Sequence, residues 1–545
     1  MRPPGALAES ETQPRRGTRT RRCRGPLRMS DIAHGQLDSG RRRFRANVTA
    51  NVGYLVLSAG IGLWFTPYLI QHLGVAAYGL VPLALSLASY MSVVTIALSG
   101  SVGRFLTIDL ERQDLGSANR TFNTALFGSL GLVGALLVPA IALSLAAPLV
   151  LHVPAGMEGG TRALLASAMA AFFLTVVASS FGVSTFVTKR FDLRSALHGM
   201  GLLARIGIVV ILFRWLSPQL WQVGLGVVGA ALLYLEGSVC VWGRLTPQLR
   251  IRAIDFDRTR LREMVSMGAW MVINQVGVIL FLSVDLLVVN MVVGAEAAGR
   301  YAPVLQWSML LRAMAIAVAG VLVPTIIGLH ARGHMEGLTR TTQRAVKLLG
   351  LAMALPVGLL CGLARPLLET WLGDSFAQLA PLMWLLVGPL CINLSVLPLF
   401  CVNMALNKVR WPGIVTVVMG VGNLALAITL AGPLGWGMYG VAAAGAIMLT
   451  LQNVAYTPLY SAAILRRSLN VFLGPMLPPL IAAALVGSTA AIISSNIDLG
   501  SWPRLVCAGS VIAIPYLFVV FFLGLREGER KAVLELIFHR GLASL

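Results

Sequence analysis

LREMVSMGAWMVINQVGVILFLSVDLLVVNMVVGAEAAGRYAPVLQWSML, residues 261 to 310, decides the fold of this chain. It is an apolar run entered through arginines, carrying Asp285 near its far end and closed by a glycine-spaced turn from Gly294 to Gly299. An apolar run of more than ~18 residues can cross a bilayer, because ~20 helical residues rising ~1.5 Å each match ~30 Å of hydrocarbon. An ionisable side chain inside such a run costs ~2.5–3.5 kcal/mol on the insertion scale, so it faces protein or water rather than lipid. Asp285 is therefore a candidate functional group.

The same plan occurs earlier in the chain. Displacing the sequence by 220 residues sets Arg42 on Arg262, Gly74 on Gly294, Ala77 on Ala297 and Gly79 on Gly299. Both segments run from arginines through an apolar span and a G-x4-G turn into a second apolar span, as an internal duplication would. The displacement covers six spans, an even number, so the two halves enter the membrane in the same direction.

Composition agrees. The 545 residues are 57% hydrophobic and 12% charged, against ~45–50% and ~25% in soluble proteins. The net charge of +21 does not point to nucleic acid, because 12 of the 43 basic residues lie in the first 45 positions and most others in short loops. About fourteen spans fit between residues 48 and 525. Loops on the amino-terminal side carry twenty basic residues, from Arg104 to Arg467, whereas the other side holds Arg162, Arg214, Arg300, Arg365 and Arg504. Basic residues mark the cytoplasmic side, so both termini are expected there.

The predicted fold is an all-α polytopic membrane protein with about fourteen transmembrane helices, in two pseudo-symmetric six-helix lobes plus two C-terminal helices. Its parts are a disordered basic cytoplasmic tail (1–45), an N-terminal lobe (46–243), a cytoplasmic linker (244–262), a C-terminal lobe (263–463), two additional transmembrane helices (464–526) and a cytoplasmic amphipathic tail (527–545). Either Met1 or Met29 can serve as the start.

Motifs of soluble chemistry have plainer explanations here. Gly224-Leu-Gly226-Val-Val-Gly229 sits inside an apolar span with no strand before it, so it predicts close helix packing rather than dinucleotide binding. Asp255-Phe-Asp257 lies among arginines, where solvated ion pairing is the default. His330 and His334 have ligand spacing but no cysteine partner nearby in the sequence, so no metal site is expected. The six cysteines are scattered singly and read as small buried hydrophobes.

Ionisable groups within spans are more informative. Arg205 and Glu236 lie on the fifth and sixth spans, Asp285 and Arg312 on the seventh and eighth, which suggests two ion pairs. Asn274, Val278 and Asp285 share one helical face, and Tyr301, Ser308 and Arg312 form a polar stripe. A polar face must meet protein or water, so both helices are expected to border a hydrated cavity. Asn51, Tyr54, Tyr90 and Ser99 would form the related wall of the first half, with Arg104 at its cytoplasmic mouth.

Asp285-Leu-Leu followed by Gly294-Ala-Glu-Ala-Ala-Gly299-Arg-Tyr301, with its counterpart Leu73-Gly74-Val-Ala-Ala-Tyr78-Gly79-Leu80, resembles the first and seventh helix turns of a known family. These are the polysaccharide transporters, including O-antigen flippases, of the multidrug/oligosaccharidyl-lipid/polysaccharide (MOP) exporter superfamily. The resemblance implies an alternating-access flippase, not an enzyme, that moves a polyprenyl-pyrophosphate-linked oligosaccharide across the bacterial inner membrane for surface polysaccharide biosynthesis. It implies no cofactor, a basic central cavity served by Arg312, Arg205 and Arg104, a coupling cation (proton or sodium), contact with membrane lipid, and polysaccharide polymerase machinery as a partner. A cation-coupled drug exporter or a peptidoglycan-precursor flippase on the same scaffold is the alternative. A membrane-embedded polymerase or ligase is disfavoured, because the longest outer loop, about 364–379, offers only Glu369 and Asp374 as acids.

Overall fold

The structure, a computed structural model, describes residues 29–525 except 321, together with 528 and 530; side chains are described from residue 46 onward except at 97–100, 267–271, 321, 324, 469 and 523. The described residues contain helices and no strand, the arrangement that satisfies backbone polar groups within each segment when lipid offers no partners. Thirteen helices are long and apolar enough to cross a membrane, and a bent pair supplies a fourteenth span. In chain order they are Ala46–Leu73, Val75–Ile96, Leu115–Val150, Glu158–Val187, Phe191–Trp215, Leu220–Leu245, the pair Val272–Leu282 with Asp285–Val293, Ala295–Ala331, Met335–Gly362, Ala380–Ala405, Arg410–Ala431, Gly437–Ile464, Gly474–Asn496 and Trp502–Phe522. They are spans 1 to 14 below. The side carrying the loop between spans 6 and 7 is the linker face, and the other is the opposite face.

Spans 1–6 pack on one another as one bundle and spans 7–12 as a second, with span 13 laid along span 9. Small residues set the close approaches. A Cβ on Gly224 would lie 2.7 Å from Ser167 Oγ, and one on Gly226 would lie 2.9 Å from the Arg205 carbonyl oxygen. Glycine spacing in span 6 therefore serves helix packing, as expected. Span 9 repeats the device, with Gly350 against Pro479 and Gly358 against Val486.

The two bundles meet where span 2 crosses span 8 and where Ser92–Glu111, which continues span 2, lies along Arg258–Leu282, and the glycines matched by the 220-residue displacement form the first of these crossings. A Cβ on Gly79 would lie 2.8 Å from Gly299 Cα, and one on Gly299 would collide with the Val75 carbonyl. Gly74 and Gly294 precede these helices with φ of 84° and 124°, a left-handed region that favours glycine.

On the linker face the connecting chain is laced to the first bundle. Asn123 Nδ2 donates to the Arg250 carbonyl at 2.8 Å, and Asn123 Oδ1 accepts from the Arg252 N–H at 2.8 Å. Asp257 then caps the helix that leads into span 7, accepting from the Thr259 and Arg260 N–H groups. Those backbone bonds hold its carboxyl below the usual range, and the Ser117 N–H does the same for Asp114 at the start of span 3. Because both values are depressed, the stabilisation these caps give is present at neutral pH and is lost as pH falls through the lowered values. Arg260 also pairs with the buried Asp109 at 3.0 Å and stacks over Phe105. Asp255-Phe-Asp257 is thus part of a structural tie.

Two expectations need correction. The first helix begins at Met29, so residues 29–45, assigned to a disordered tail, continue span 1. Once an apolar span has nucleated a helix, each further residue adds a hydrogen bond for little ordering cost. Span 7 is not one straight helix, since it bends by 47° between Leu282 and Asp285. Residues 1–28 and most of the expected amphipathic tail at 527–545 lie outside the described residues.

Candidate functional site

The break in span 7 organises a polar centre in the second bundle. Neighbouring side chains serve the carbonyls near the bend: Tyr90 Oη donates to the Ser283 carbonyl at 2.6 Å, and Asn423 Nδ2 to the Leu280 carbonyl at 3.1 Å. Irregular backbone at membrane depth persists where protein groups satisfy it in this way. Asp285 is the first residue of the half-helix that follows. It is buried at 6% exposure, and Tyr301, also buried, donates a hydrogen bond to its Oδ2 at 3.3 Å. Asp285 Oδ1 and Asn423 Oδ1 are buried without a hydrogen-bond partner among the described residues. Gly445 of span 12 lies between the two side chains.

A cavity opens on this centre among spans 7, 8, 10 and 12, lined by Asp285, Ser308, Arg312, Asn393 and Gly445. Its space for the centre of a water molecule is about 30 Å³. Sites for organic ligands run to ~300–1,000 Å³, so in this conformation the cavity fits water or a small ion and not a sugar headgroup.

The expected stripe of Tyr301, Ser308 and Arg312 does converge with Asp285. Arg312 shares the cavity with Asp285, yet no contact of ion-pair length joins them among the described residues. Asn274 is exposed and lies beyond the bend, which takes it off the face it would share with Asp285 on a straight helix. The first-half wall does not assemble either. Tyr54 lies against His198 of span 5 with the rings tilted by 42°, Asn51 and Arg104 are exposed, and Tyr90 alone of that group is placed at the polar centre. The Ser99 side chain lies outside the described residues.

The proposed Arg205–Glu236 pair is corrected. Arg205 is packed beside Gly226 and holds its guanidinium 5.9 Å from the Phe65 ring centre. Glu236 stands ten residues further along span 6, exposed, and ten helical residues are ~15 Å, beyond the reach of one arginine. Sequence reasoning missed Asn423 and Asn393, although an amide inside an apolar run was the available signal. It also missed a latch between bundles on the opposite face. There the His152 N–H donates to Asn290 Oδ1 at 3.0 Å, Asn290 Nδ2 donates to the His152 carbonyl at 3.2 Å, and His152 Nδ1 lies 2.8 Å from the Asn290 carbonyl. Nearby, Thr66 Oγ1 donates to Gln306 Oε1 at 2.8 Å and Trp371 Nε1 to the Leu63 carbonyl at 2.6 Å.

Comparisons with known proteins agree with a many-span, all-α membrane fold. Residues 44–330 match the family model described as polysaccharide biosynthesis protein. The chain belongs to that family. It is 35% identical over 493 residues to the membrane protein EpsK of Bacillus subtilis (strain 168), covering 90% of this chain and 98% of EpsK. Among solved structures, the fold is similar to the lipid II flippase MurJ in an inward closed conformation, with a TM-score of 0.53, 12% identity, and 85% and 98% of the two chains covered. It is also similar to an outward-facing multidrug resistance MATE family transporter of the MOP superfamily, with a TM-score of 0.52, 14% identity, and 82% and 97% covered. The polysaccharide biosynthesis family member described here is thus a multi-pass all-α membrane protein with the fold of those transporters.

Proposed function

We propose that this protein is a flippase that carries a polyprenyl-pyrophosphate-linked oligosaccharide across the bacterial inner membrane by alternating access, for surface polysaccharide biosynthesis. The observation that carries this reading is the cavity that places Asp285 and Arg312 together at membrane depth within a two-bundle fold. A charged, hydrated headgroup cannot cross ~30 Å of hydrocarbon unaided, and a passage open to one side at a time removes that barrier. The linker face, rich in arginine, is the cytoplasmic side by the positive-inside rule. The opposite face is latched through His152 and Asn290, and on the linker face Ser92–Glu111 lies along Arg258–Leu282, so entry from the cytoplasmic leaflet requires the linker face to part.

Arg312 attracts the pyrophosphate. Asp285, with a carboxylate oxygen lacking a partner beside Asn423, takes up the coupling proton or sodium ion, a role that the size of the cavity suits. Opening of the linker-face halves of spans 1 and 8 makes room for the sugars between the bundles. Arg312→Ala, checked for normal insertion, is expected to abolish polysaccharide export and leave lipid-linked oligosaccharide on the cytoplasmic leaflet. Normal export from that variant would remove Arg312 from the mechanism. Asp285 also favours a second reading, cation-coupled drug export, which predicts that deletion sensitises cells to cationic drugs while polysaccharide export continues.

A further inference from the structure

A second cavity lies away from the polar centre, where spans 9 and 13 part near the linker face. It has about 580 Å³ of space for the centre of a water molecule and is lined by Arg340, Gln343, Arg344, Lys347, Gly474 and Pro478, with Pro475 beside them. Its origin is a splay in an otherwise tight helix pair. From Gly350 onward span 9 lies against span 13, where a Cβ on Gly350 would meet Pro479 Cγ at 2.6 Å. One turn earlier Gly474, Pro475 and Pro478 border an open space beside span 9, while Met476 between them stays packed against it. The crevice is held open by fixed contacts. Gln343 Nε2 donates to the Val471 carbonyl at 2.8 Å, and Val346, fully buried, packs with Phe472 and Met476 behind it.

Arg340, Arg344 and Lys347 stand four and three residues apart, so they project from one side of span 9 on successive turns. Glu336 pairs with Arg340 at 2.6 Å where both side chains are exposed, a pairing of small energetic weight. Basic side chains gathered around a preformed space favour an anion there. Depth narrows the choice. Span 9 has 28 residues, about 42 Å of helix against ~30 Å of hydrocarbon, so its first turns stand at headgroup level. Basic pockets between transmembrane helices at that level recognise phosphate-bearing headgroups.

We propose that the crevice between spans 9 and 13 is a binding site for the phosphate headgroup of an anionic phospholipid of the linker-face leaflet. Its cations are Arg340, Arg344 and Lys347, and its wall is the Gly474–Pro478 turn. The lipid wedges the two helices at their open end and tethers span 13, which stands outside both six-span bundles, to the second bundle. This assignment does not depend on what the protein transports, so failure of the flippase reading would leave it intact.

The test is native mass spectrometry of the full-length protein in detergent, titrated with phosphatidylglycerol or with phosphatidylcholine of the same chains. The wild type should retain phosphatidylglycerol at least about tenfold better, and each cation removed should cost about fivefold, the weight of one basic side chain at an anionic surface. R340Q/R344Q/K347Q should bind both lipids alike, whereas R258Q/R262Q, with a comparable charge loss at the linker, should retain the preference. R344Q alone, with an unchanged melting temperature, covers the case in which the triple variant misfolds. Equal retention of both lipids by the wild type, or an undiminished preference in R344Q and the triple variant, would overturn the site. Complete displacement of phosphatidylglycerol by excess inorganic phosphate would assign it to a soluble phosphate ester and overturn the lipid.

Discussion

The first and seventh spans are copies of one plan that have come to do different things. Both end in a glycine at positive φ and lead into helices that meet at Gly79 and Gly299. The 220-residue displacement that aligns those glycines also sets Phe65 on Asp285, Val81 on Tyr301 and Ser92 on Arg312. In the first copy the helix runs unbroken from Met29 to Leu73, and Phe65 is packed beneath the Arg205 guanidinium. In the second the helix bends by 47°, and an acid begins the new half-helix, where the free N–H groups favour negative charge. The conserved part of the plan is thus the small-residue corner on which the bundles contact each other. The polar device is confined to one copy, so it can titrate or bind an ion without a twin on the other side.

If the corner is the shared element, damage there should have the largest effect. Gly299→Leu puts a side chain into the Val75 carbonyl, an overlap that costs ~1–3 kcal/mol or more, and should sharply lower the yield of folded protein in fluorescence-detected size-exclusion chromatography. Asp285→Asn comes next. It keeps the shape of the site and removes its charge, so export should fall by about tenfold or more, the scale of a ~1–3 kcal/mol coupling free energy, with folded yield unchanged. Wild-type export from this variant would make the second copy as inert as the first. Asn290→Ala deletes two hydrogen bonds of the latch, each worth ~1 kcal/mol net. Spin-label distances across the opposite face should then show its open population rising by about thirtyfold.

Smaller effects mark the inert copy. Arg205→Met forfeits a cation–ring contact worth ~0.5–2 kcal/mol, so thermal stability should change modestly while export is preserved. Loss of export there would show that the first copy also carries chemistry. Glu236→Gln, at an exposed position, should stay within ~0.5 kcal/mol of wild type in unfolding and leave export unchanged.

Much of the fold was legible along the chain because a bilayer imposes simple local rules. Span length, basic loops and the repeated glycines are all written in consecutive residues, and every expected span has its helix. Local reading went wrong where a contact comes from far away. A straight-helix face joined Asn274 to Asp285, but the bend that separates them is supported by Tyr90 and Asn423, which lie 193 and 143 residues from the carbonyls they serve. Matching charges on adjacent spans suggested Arg205 with Glu236, although the glycine crossing of spans 5 and 6 brings Arg205 beside Gly226 instead. The basic crevice was equally hidden, because Arg340, Arg344 and Lys347 read as ordinary loop cations until Gly474, Pro475 and Pro478 are seen to enclose a space with them.

By itself the sequence determined that this chain crosses a membrane about fourteen times in two like-directed halves, since transfer of apolar helices into hydrocarbon depends on composition and length alone. Tertiary structure decided which charged groups share a space, where span 7 breaks and which face of the molecule is latched. Those outcomes depend on side chains more than a hundred residues apart satisfying one another's hydrogen bonds, and no local pattern encodes such partners.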